Sequence, residues 1–249
     1  MTNEATIEKM QKMKLHGMAR AFENSIAGKM PDGLTSDEMA AYLVDSEWDD
    51  RYNRKLSALI KRGRFRYQAA IENISFRADR NLDKNLVLRL TNCDWIRKKQ
   101  IIVITGATGC GKSFLASAFG NQACRQGYKT LYFSCLKLFT RLKFAKAEGS
   151  YISEMNLIQK QDLLILDDFG LEVLDLPSRL SLLEIIEDRQ GRSSTLITSQ
   201  HPVKDWFNII ADPTIADAIC DRINHTAIKI DLKGETMRKI NIKDYDQDS

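Results

Sequence analysis

The sequence predicts an α/β protein in which a small all-α N-terminal domain precedes a parallel sheet with helices on both faces. From residue 101 onward, short apolar runs rich in β-branched residues alternate with helix-like runs, which is the pattern of a parallel sheet. A glycine-rich segment, residues 106–113, lies between the first such run and the first helix of this region. Before residue 68, apolar side chains recur only at helical spacing. We therefore assign residues 1–68 to a helical domain and residues 69–249 to the sheet domain.

The N-terminal domain is expected to contain helices alone. Residues 6–26 predict one helix, and a break follows over residues 28–33, which include Pro31. Ser36 opens the segment S-D-E-M, which fits the start of a further helix, and residues 52–65 continue the helical pattern. Residues 83–90 predict a short helix ahead of the first strand.

The sheet domain is predicted to contain five strands with helices between them. The strands are expected at residues 101–105, 130–134, 162–167, 194–199 and 226–230. The helices are expected at residues 113–126, 136–147, 151–159, 177–190 and 213–223.

The glycine-rich segment reads GATGCGKS and fits the phosphate-binding pattern G-x-x-x-x-G-K-[ST] at every fixed position. Its glycines let the backbone curl and point several N–H groups at one anion, and the following helix N-terminus favours negative charge. Lys112 would reach the outer phosphates of ATP, and the Ser113 hydroxyl would bind Mg²⁺. The predicted nucleotide-binding residues are Gly106, Ala107, Thr108, Gly109, Cys110, Gly111, Lys112, Ser113, Phe114 and Ser199.

Two carboxylates end the third predicted strand, in the run L-L-I-L-D-D. In an enzyme with a phosphate loop, Asp167 is expected to hold Mg²⁺ or its water, and Asp168 to orient and polarise the attacking water. The next strand ends in Thr198, Ser199 and Gln200, any of which would lie near the outermost phosphate. The sequence leaves open which of the three senses it.

Two arginines are candidates for a residue that stabilises transition-state charge on a neighbouring subunit's ATP. Arg189 ends an apolar helical stripe, and Arg222 lies just before the last strand. An arginine at the end of an apolar stripe often only extends its charged head into solvent. The residues by themselves therefore leave both arginines undecided.

Composition narrows the class of protein and its partners. Residues 51–99 contain 14 Lys and Arg against four acidic residues, which indicates a phosphate-backbone partner such as DNA. The alternatives are a solvated helical face, or pairing with residues 1–50, which contain ten acidic and five basic residues. The five cysteines have no C-x-x-C spacing, which predicts reduced thiols in a cytoplasmic protein. The N-terminus is polar, and the sequence has no apolar run of about 20 residues, so no membrane span is predicted.

Several motifs, taken in order, resemble the IstB family of ATP-dependent helper proteins for insertion-sequence transposition. The segments that carry the resemblance are GATGCGKSFLASAFGNQACRQGY, LLILDDFGL, LLEIIEDRQGRSSTLITSQ, DPTIADAICDRINH and GETMRK. The resemblance is close over residues 69–249 and looser over the N-terminal helices. The nearest relatives of that family are DnaC-type helicase loaders, in the initiator branch of the AAA+ ATPases.

The resemblance implies a DNA-stimulated ATPase that assembles head to tail, as a ring or spiral, on duplex DNA with little sequence preference and recruits or stimulates a transposase. Arg222 falls at the family's arginine-finger position, so Lys112, Asp168 and Arg222 are the expected catalytic residues, with Mg²⁺ at Ser113 and Asp167. Arg189 is a secondary candidate. The initiator branch also adds a helix within residues 136–159, whose basic residues would contact DNA: Lys137, Arg141, Lys143 and Lys146.

The chain departs from the wider AAA+ pattern at two places. Many AAA+ proteins have Asp-Glu where this chain has Asp167-Asp168. The chain is also expected to lack the usual C-terminal helical lid, which leaves Arg238 as a weak substitute for a lid arginine. The alternative functions are a DnaC-like loader of a replicative helicase and, from a different class, a small-molecule phosphotransferase.

Overall fold

A computed structural model of the chain describes residues 2–29, 33–234, 236 and 237, in two compact units that divide between Ala58 and Leu59. The sequence places the boundary ten residues later, after residue 68. The difference arises because Phe65 belongs to the core of the sheet unit, where its ring lies against Gly120. Within the described ranges, every helix is too short or too polar to cross a bilayer.

The N-terminal unit contains helices α1 (Asn3–Lys12) and α2 (His16–Ile26) and the start of α3 (Ser36–Gly63). The prediction of one helix over residues 6–26 is wrong, because the chain turns at Lys14, whose φ of 60° is left-handed. The helical pattern predicted from Ser36 through residue 65 is one continuous helix, α3, which ends at Gly63. Its cap begins at Thr35, whose backbone N–H and hydroxyl both donate to the Glu38 carboxylate, so Ser36 is already helical.

Close packing between α2 and α3 explains why the first helix is interrupted. A Cβ on Gly17 would lie 2.3 Å from the carbonyl oxygen of Ser46, so only glycine fits at this contact. The buried Glu47 carboxylate accepts the backbone N–H groups of Gly17 and Met18, which are free donors at the N-terminus of α2. The contact therefore requires a helix to begin at this point.

The second unit is built on a five-stranded parallel sheet in the order β2-β3-β4-β1-β5. The strands are β1 (Ile101–Gly106), β2 (Thr130–Ser134), β3 (Leu163–Phe169), β4 (Ser194–Ser199) and β5 (Ala227–Leu232). The five predicted strands are confirmed, each with ends within two residues of the predicted ones. This order places β4 between β1 and β3, so the loop after β1 and the carboxylates of β3 flank the end of β4.

Helices cover both faces of the sheet, as predicted. One face carries α7 (Cys135–Ala147), α8 (Tyr151–Gln159), α9 (Leu176–Arg189), α10 (Trp206–Ile210) and α11 (Pro213–Thr226). The other face carries α4 (Lys84–Leu90), α5 (Asp94–Arg97) and α6 (Lys112–Arg125). Alternate strand residues enter the two apolar cores, such as Val103 on the first face and Ile102 on the second. The short helices α5 and α10 were not predicted.

Candidate ATP site

The phosphate loop between β1 and α6 borders a cavity of about 470 Å³. Gly109 and Gly111 have φ values of 86° and 92°, which favour glycine. A Cβ on Gly111 would also lie 2.9 Å from a guanidinium nitrogen of Arg80. Arg80 is buried and donates a hydrogen bond of 3.0 Å to the carbonyl of Cys110 in the loop. Glycine is therefore needed both for the turn and for the close approach of this arginine.

Lys112 lies at the start of α6, where its ammonium group donates to the carbonyls of Gly106 at 2.7 Å and Ala107 at 2.9 Å. These two contacts hold the lysine at the loop itself. The cavity is lined by six of the ten predicted nucleotide-binding residues: Thr108, Gly109, Gly111, Lys112, Ser113 and Phe114. The ammonium group, the curved backbone and the helix N-terminus together suit a polyphosphate.

The two carboxylates at the end of β3 face one common cation. Arg66 donates to Asp168 at 2.8 Å and to Asp167 at 3.3 Å. Neighbouring residues of a regular strand point to opposite faces, so this convergence needs an irregularity. Asp168 supplies it with a left-handed φ of 58°, at a shift in the β3–β4 register between Leu166 and Phe169.

Hydroxyl groups from both neighbouring strands hold this carboxylate pair. The Tyr132 and Thr198 hydroxyls donate to the fully buried carboxylate of Asp167. Thr198 also accepts the backbone N–H of Asp168 at 3.0 Å, which supports its left-handed conformation. Burial and then the Asp167 charge raise the pKa of Tyr132 above its ordinary value, so this hydroxyl remains a donor.

The three candidates at the end of β4 have different roles in the structure. Thr198 holds the acidic pair, as described above. The buried Ser199 hydroxyl donates to the carbonyl of Phe169 at 2.8 Å and accepts the His201 N–H, so it connects two backbone segments. Gln200 lines the cavity and accepts a hydrogen bond of 2.8 Å from Thr108 of the phosphate loop. The geometry thus brings Gln200, rather than Ser199, to the cavity beside the phosphate loop.

The model of one protein family, described as IstB-like ATP binding protein, matches residues 8–244 of this chain. The chain belongs to the IstB-like family of ATP-binding proteins. An insertion sequence ATP-binding protein of Sinorhizobium fredii, y4pL, is 44% identical over 234 residues, covering 94% of this chain and 96% of that protein. The IS1162 insertion sequence ATP-binding protein of Pseudomonas fluorescens is 39% identical, covering 81% and 88%. The predicted family is therefore confirmed.

Two solved structures share the fold of this IstB-like chain. A DnaI crystal structure superposes with a TM-score of 0.57 at 20% identity, covering 68% of this chain and 90% of that one. The DnaC helicase loader superposes with a TM-score of 0.54 at 21% identity, covering 67% and 98%. At this identity the likeness establishes the fold alone, which is the predicted parallel sheet with helices on both faces.

The two candidate arginines of the IstB-like chain differ in burial. Arg189 is 2% exposed and donates hydrogen bonds within its own subunit, so it is not available to a neighbouring one. Arg222, on α11, has a side chain 26% exposed and forms an ion pair of 2.7 Å with Glu187. It also donates to the carbonyl of Ala218 and does not line the ATP cavity. Arg222 thus remains the candidate for action on a second subunit.

The basic face predicted on α7 is largely occupied by internal contacts. Arg141 binds the Glu154 carboxylate through two hydrogen bonds of 2.8 Å, and Lys143 pairs with Asp175 at 2.7 Å. Lys146 lies over the ring of Tyr151 and donates to Ser181 at 3.2 Å, which leaves Lys137 as the other member of the face. Acidic groups on neighbouring elements therefore offset two of the four cations, and the face carries less unpaired charge than the sequence indicates.

A segment that the motifs do not cover supplies another wall of the cavity. This wall contains Arg66, Tyr67, Asn73, Ser75 and Arg80. The ring of Tyr67 lies 6.1 Å from that of Phe114, which brings the segment next to α6. No spacing in the sequence indicates these residues; the only available signal is that two adjacent carboxylates need a cation. The predicted lid substitute, Arg238, lies outside the described residues.

Proposed function

We propose that this IstB-like protein is an ATPase that regulates DNA transposition. ATP-bound subunits would assemble on double-stranded DNA and recruit or stimulate a transposase, and ATP hydrolysis would reset the assembly. The observation that supports this proposal is that the groups proposed as catalytic lie on two separate surfaces. Asp168 and Gln200 share the cavity of the phosphate loop, whereas Arg222 lies elsewhere, beside Glu187. An arginine supplied by a second subunit would complete such a site.

The residues in and next to the cavity fit Mg²⁺-bound ATP: Lys112, Ser113 and Asp168 line it, and the buried Asp167 precedes Asp168. Asp167 and Asp168 carry two negative charges opposite the single guanidinium that binds them both, which leaves charge for a divalent cation to balance. Asp167, held by Tyr132 and Thr198, would bind the ion directly or through water, with the Ser113 hydroxyl as a second protein ligand. Asp168 would orient the attacking water. When bound, the ion would neutralise charge that develops on the phosphates.

The end of α3 offers a basic surface for DNA. Lys61, Arg62 and Arg64 are exposed, and none of them has an ion-pair partner among the residues that the structure describes. Other cations of the basic block are already paired, such as Arg51 with Glu47. The DNA contacts are therefore proposed at the end of α3 rather than on α7.

A mixing experiment tests the shared active site. Arg222→Ala should bind ATP normally but lower the turnover of the assembled, DNA-bound protein by roughly 10³-fold or more. Asp168→Asn should bind ATP and also fail to hydrolyse it. Because Arg222→Ala keeps an intact cavity and Asp168→Asn keeps an intact arginine, mixed assemblies should regain turnover. Mixtures as inactive as either variant alone would contradict a shared site.

The matched control for this experiment is Glu187→Ala. It removes the internal ion-pair partner of Arg222 and retains the arginine itself. We expect it to keep or raise the turnover of the assembled protein, since the guanidinium is then released from one internal contact. A loss as large as that of Arg222→Ala would mean that the ion pair serves the fold rather than the neighbouring site.

A second experiment tests the DNA surface. Neutralising Lys61, Arg62 and Arg64 to glutamine should weaken duplex DNA binding and reduce the slope of log affinity against log salt by about one per lost phosphate contact. As a control, Arg141→Gln and Lys143→Gln on α7 also remove one positive charge each, but these charges are already paired with carboxylates. Equal losses from both sets would contradict the assignment to α3.

The alternative of a helicase loader is open to a direct comparison. The fold is shared with DnaI and DnaC, whereas y4pL and the IS1162 protein, which match over most of their length, are insertion sequence proteins. The ATP-bound protein should form a complex with the transposase encoded beside it. A complex with the replicative helicase instead would favour the loader function.

A further inference from the structure

The cation that binds Asp167 and Asp168 points to a role for Arg66 that no motif in the sequence indicates. We propose that Arg66 is a nucleotide-binding residue that exchanges these carboxylates for the outer phosphate when Mg²⁺ and ATP bind. This inference rests on the proposed ATPase function, because it requires the cavity to hold a triphosphate.

Arg66 partly balances the charge of the two carboxylates. Among the described residues, Arg66 is the only cation within 4 Å of the two carboxylates. The other groups that bind the Asp167 side chain, Tyr132 and Thr198, are neutral hydroxyls. A buried carboxylate needs an opposite charge nearby. Arg66 therefore supplies the positive charge that Mg²⁺ would supply in the ATP-bound protein.

The Arg66 side chain lies where it is free to move. The Arg66 side chain is 42% exposed and lines the same cavity as Lys112 and Ser113. Its flanking residues are fixed, since Phe65 packs against Gly120 and the ring of Tyr67 lies 6.1 Å from Phe114. The backbone is thus anchored while the guanidinium faces the open cavity. It can leave the carboxylates without leaving the site.

Carboxylates and phosphates are alternative ligands for the Arg66 guanidinium. A guanidinium binds carboxylate and phosphate oxygens with the same planar fork of N–H donors. When Mg²⁺ balances the charge of Asp167 and Asp168, the electrostatic attraction between the guanidinium and these carboxylates becomes weaker. The triphosphate then offers it oxygen acceptors in the same cavity. Discrimination between ATP and ADP follows, because only ATP carries the outermost phosphate.

The first experiment measures Mg²⁺-dependent binding of fluorescent ATP and ADP analogues to the full chain. Arg66→Gln should weaken ATP binding by about tenfold or more and ADP binding by less than about threefold, as expected for a lost charge-assisted hydrogen bond. Arg77→Gln is the matched control, because Arg77 pairs with Asp79 on the same segment and does not line the cavity. It should leave both affinities unchanged.

Two outcomes would overturn the proposal. Equal losses of ATP and ADP affinity would assign Arg66 a structural role, and unchanged affinities would assign it none in binding. If the Arg66→Gln protein does not fold, Arg66→Lys is measured instead. Lysine keeps the positive charge but lacks the planar fork of N–H donors. This variant should prefer ATP over ADP less strongly than the unaltered protein does, without losing the preference. If the unaltered protein binds neither nucleotide, the proposed ATPase function fails instead, so the two failures are distinguishable.

A second experiment tests the exchange itself by a double-mutant cycle in EDTA. Asp168→Asn removes the negative charge of the carboxylate that Arg66 binds at 2.8 Å and so weakens its hold on the guanidinium; it should tighten Mg²⁺-free ATP binding at least threefold. Part of this gain comes from reduced repulsion between the carboxylate and the phosphates. The rest should vanish when Arg66→Gln is also present. An equal gain with and without Arg66 would show that the guanidinium does not move to the nucleotide.

Discussion

The burial of Arg189 leads to a prediction about stability that can be worked from its contacts. Its guanidinium donates to the carbonyls of Ile158, Gln161 and Ser194 and to the hydroxyl of Thr195, all within one subunit. Arg189→Met keeps a long side chain and removes every donor. At about 1 kcal/mol for each acceptor left without a partner, the loss is roughly 4 kcal/mol.

An opposing contribution reduces this loss. Burial lowers the pKa of Arg189 to about 10, which shows that the protein desolvates this charge at a cost. Methionine avoids that cost, which offsets about 1 to 2 kcal/mol. The net destabilisation is then about 2 to 3 kcal/mol, equivalent to a fall in melting temperature of roughly 5 to 10 °C for a unit of this size.

The assay is thermal unfolding without nucleotide or DNA, followed by circular dichroism. Arg222→Met is the matched control, since its ion pair with Glu187 is partly exposed and is worth about 1 kcal/mol at most. We expect the two variants to show opposite defects: Arg189→Met unfolds earlier, and Arg222→Met fails in assembled turnover. A melting temperature for Arg189→Met within about 2 °C of the unaltered protein would refute the reasoning from buried donors.

Three further predictions concern the cavity. Gly111→Ala should weaken ATP binding at least tenfold, measured by titration, because its φ of 92° and the 2.9 Å approach of Arg80 leave no room for a Cβ. Ser199→Ala should lower the free energy of unfolding by about 1 to 2 kcal/mol in urea and retain turnover, since its hydroxyl binds backbone groups. Gln200→Ala should lower turnover roughly tenfold to a hundredfold without a change in melting temperature, because it lies at the cavity beside Thr108.

The strands and the phosphate loop could be predicted because their signals are local. A buried parallel strand appears in the sequence as a short continuous apolar run, and the phosphate loop appears as residues at a fixed spacing. Both signals are contained in short stretches of sequence. The break at Lys14 could not be predicted in this way, since the residue at the turn is a lysine and the nearest glycine, Gly17, lies inside α2. It is imposed by the contact of Gly17 with Ser46, 29 positions away in the chain.

The roles of individual polar residues depended on long-range packing. Arg189 and Arg222 each lie near the end of a predicted helix, yet one is enclosed by backbone carbonyls and the other is partly exposed. The cations of α7 form a basic face in the sequence, yet Arg141 and Lys143 meet carboxylates from other elements. Side-chain periodicity reports which face is apolar, but it carries no information about which charges meet across elements.

The sequence by itself determined the IstB-like family, the parallel sheet and the position of the nucleotide loop. The tertiary structure alone decided that Gln200 reaches the cavity, that Arg189 is enclosed, and that Arg66 binds the carboxylates of Asp167 and Asp168. Local pattern and spacing fix secondary structure, because each depends on residues a few positions apart. An ion pair between residues 101 positions apart exists only once the chain has folded, so only the tertiary structure reveals it.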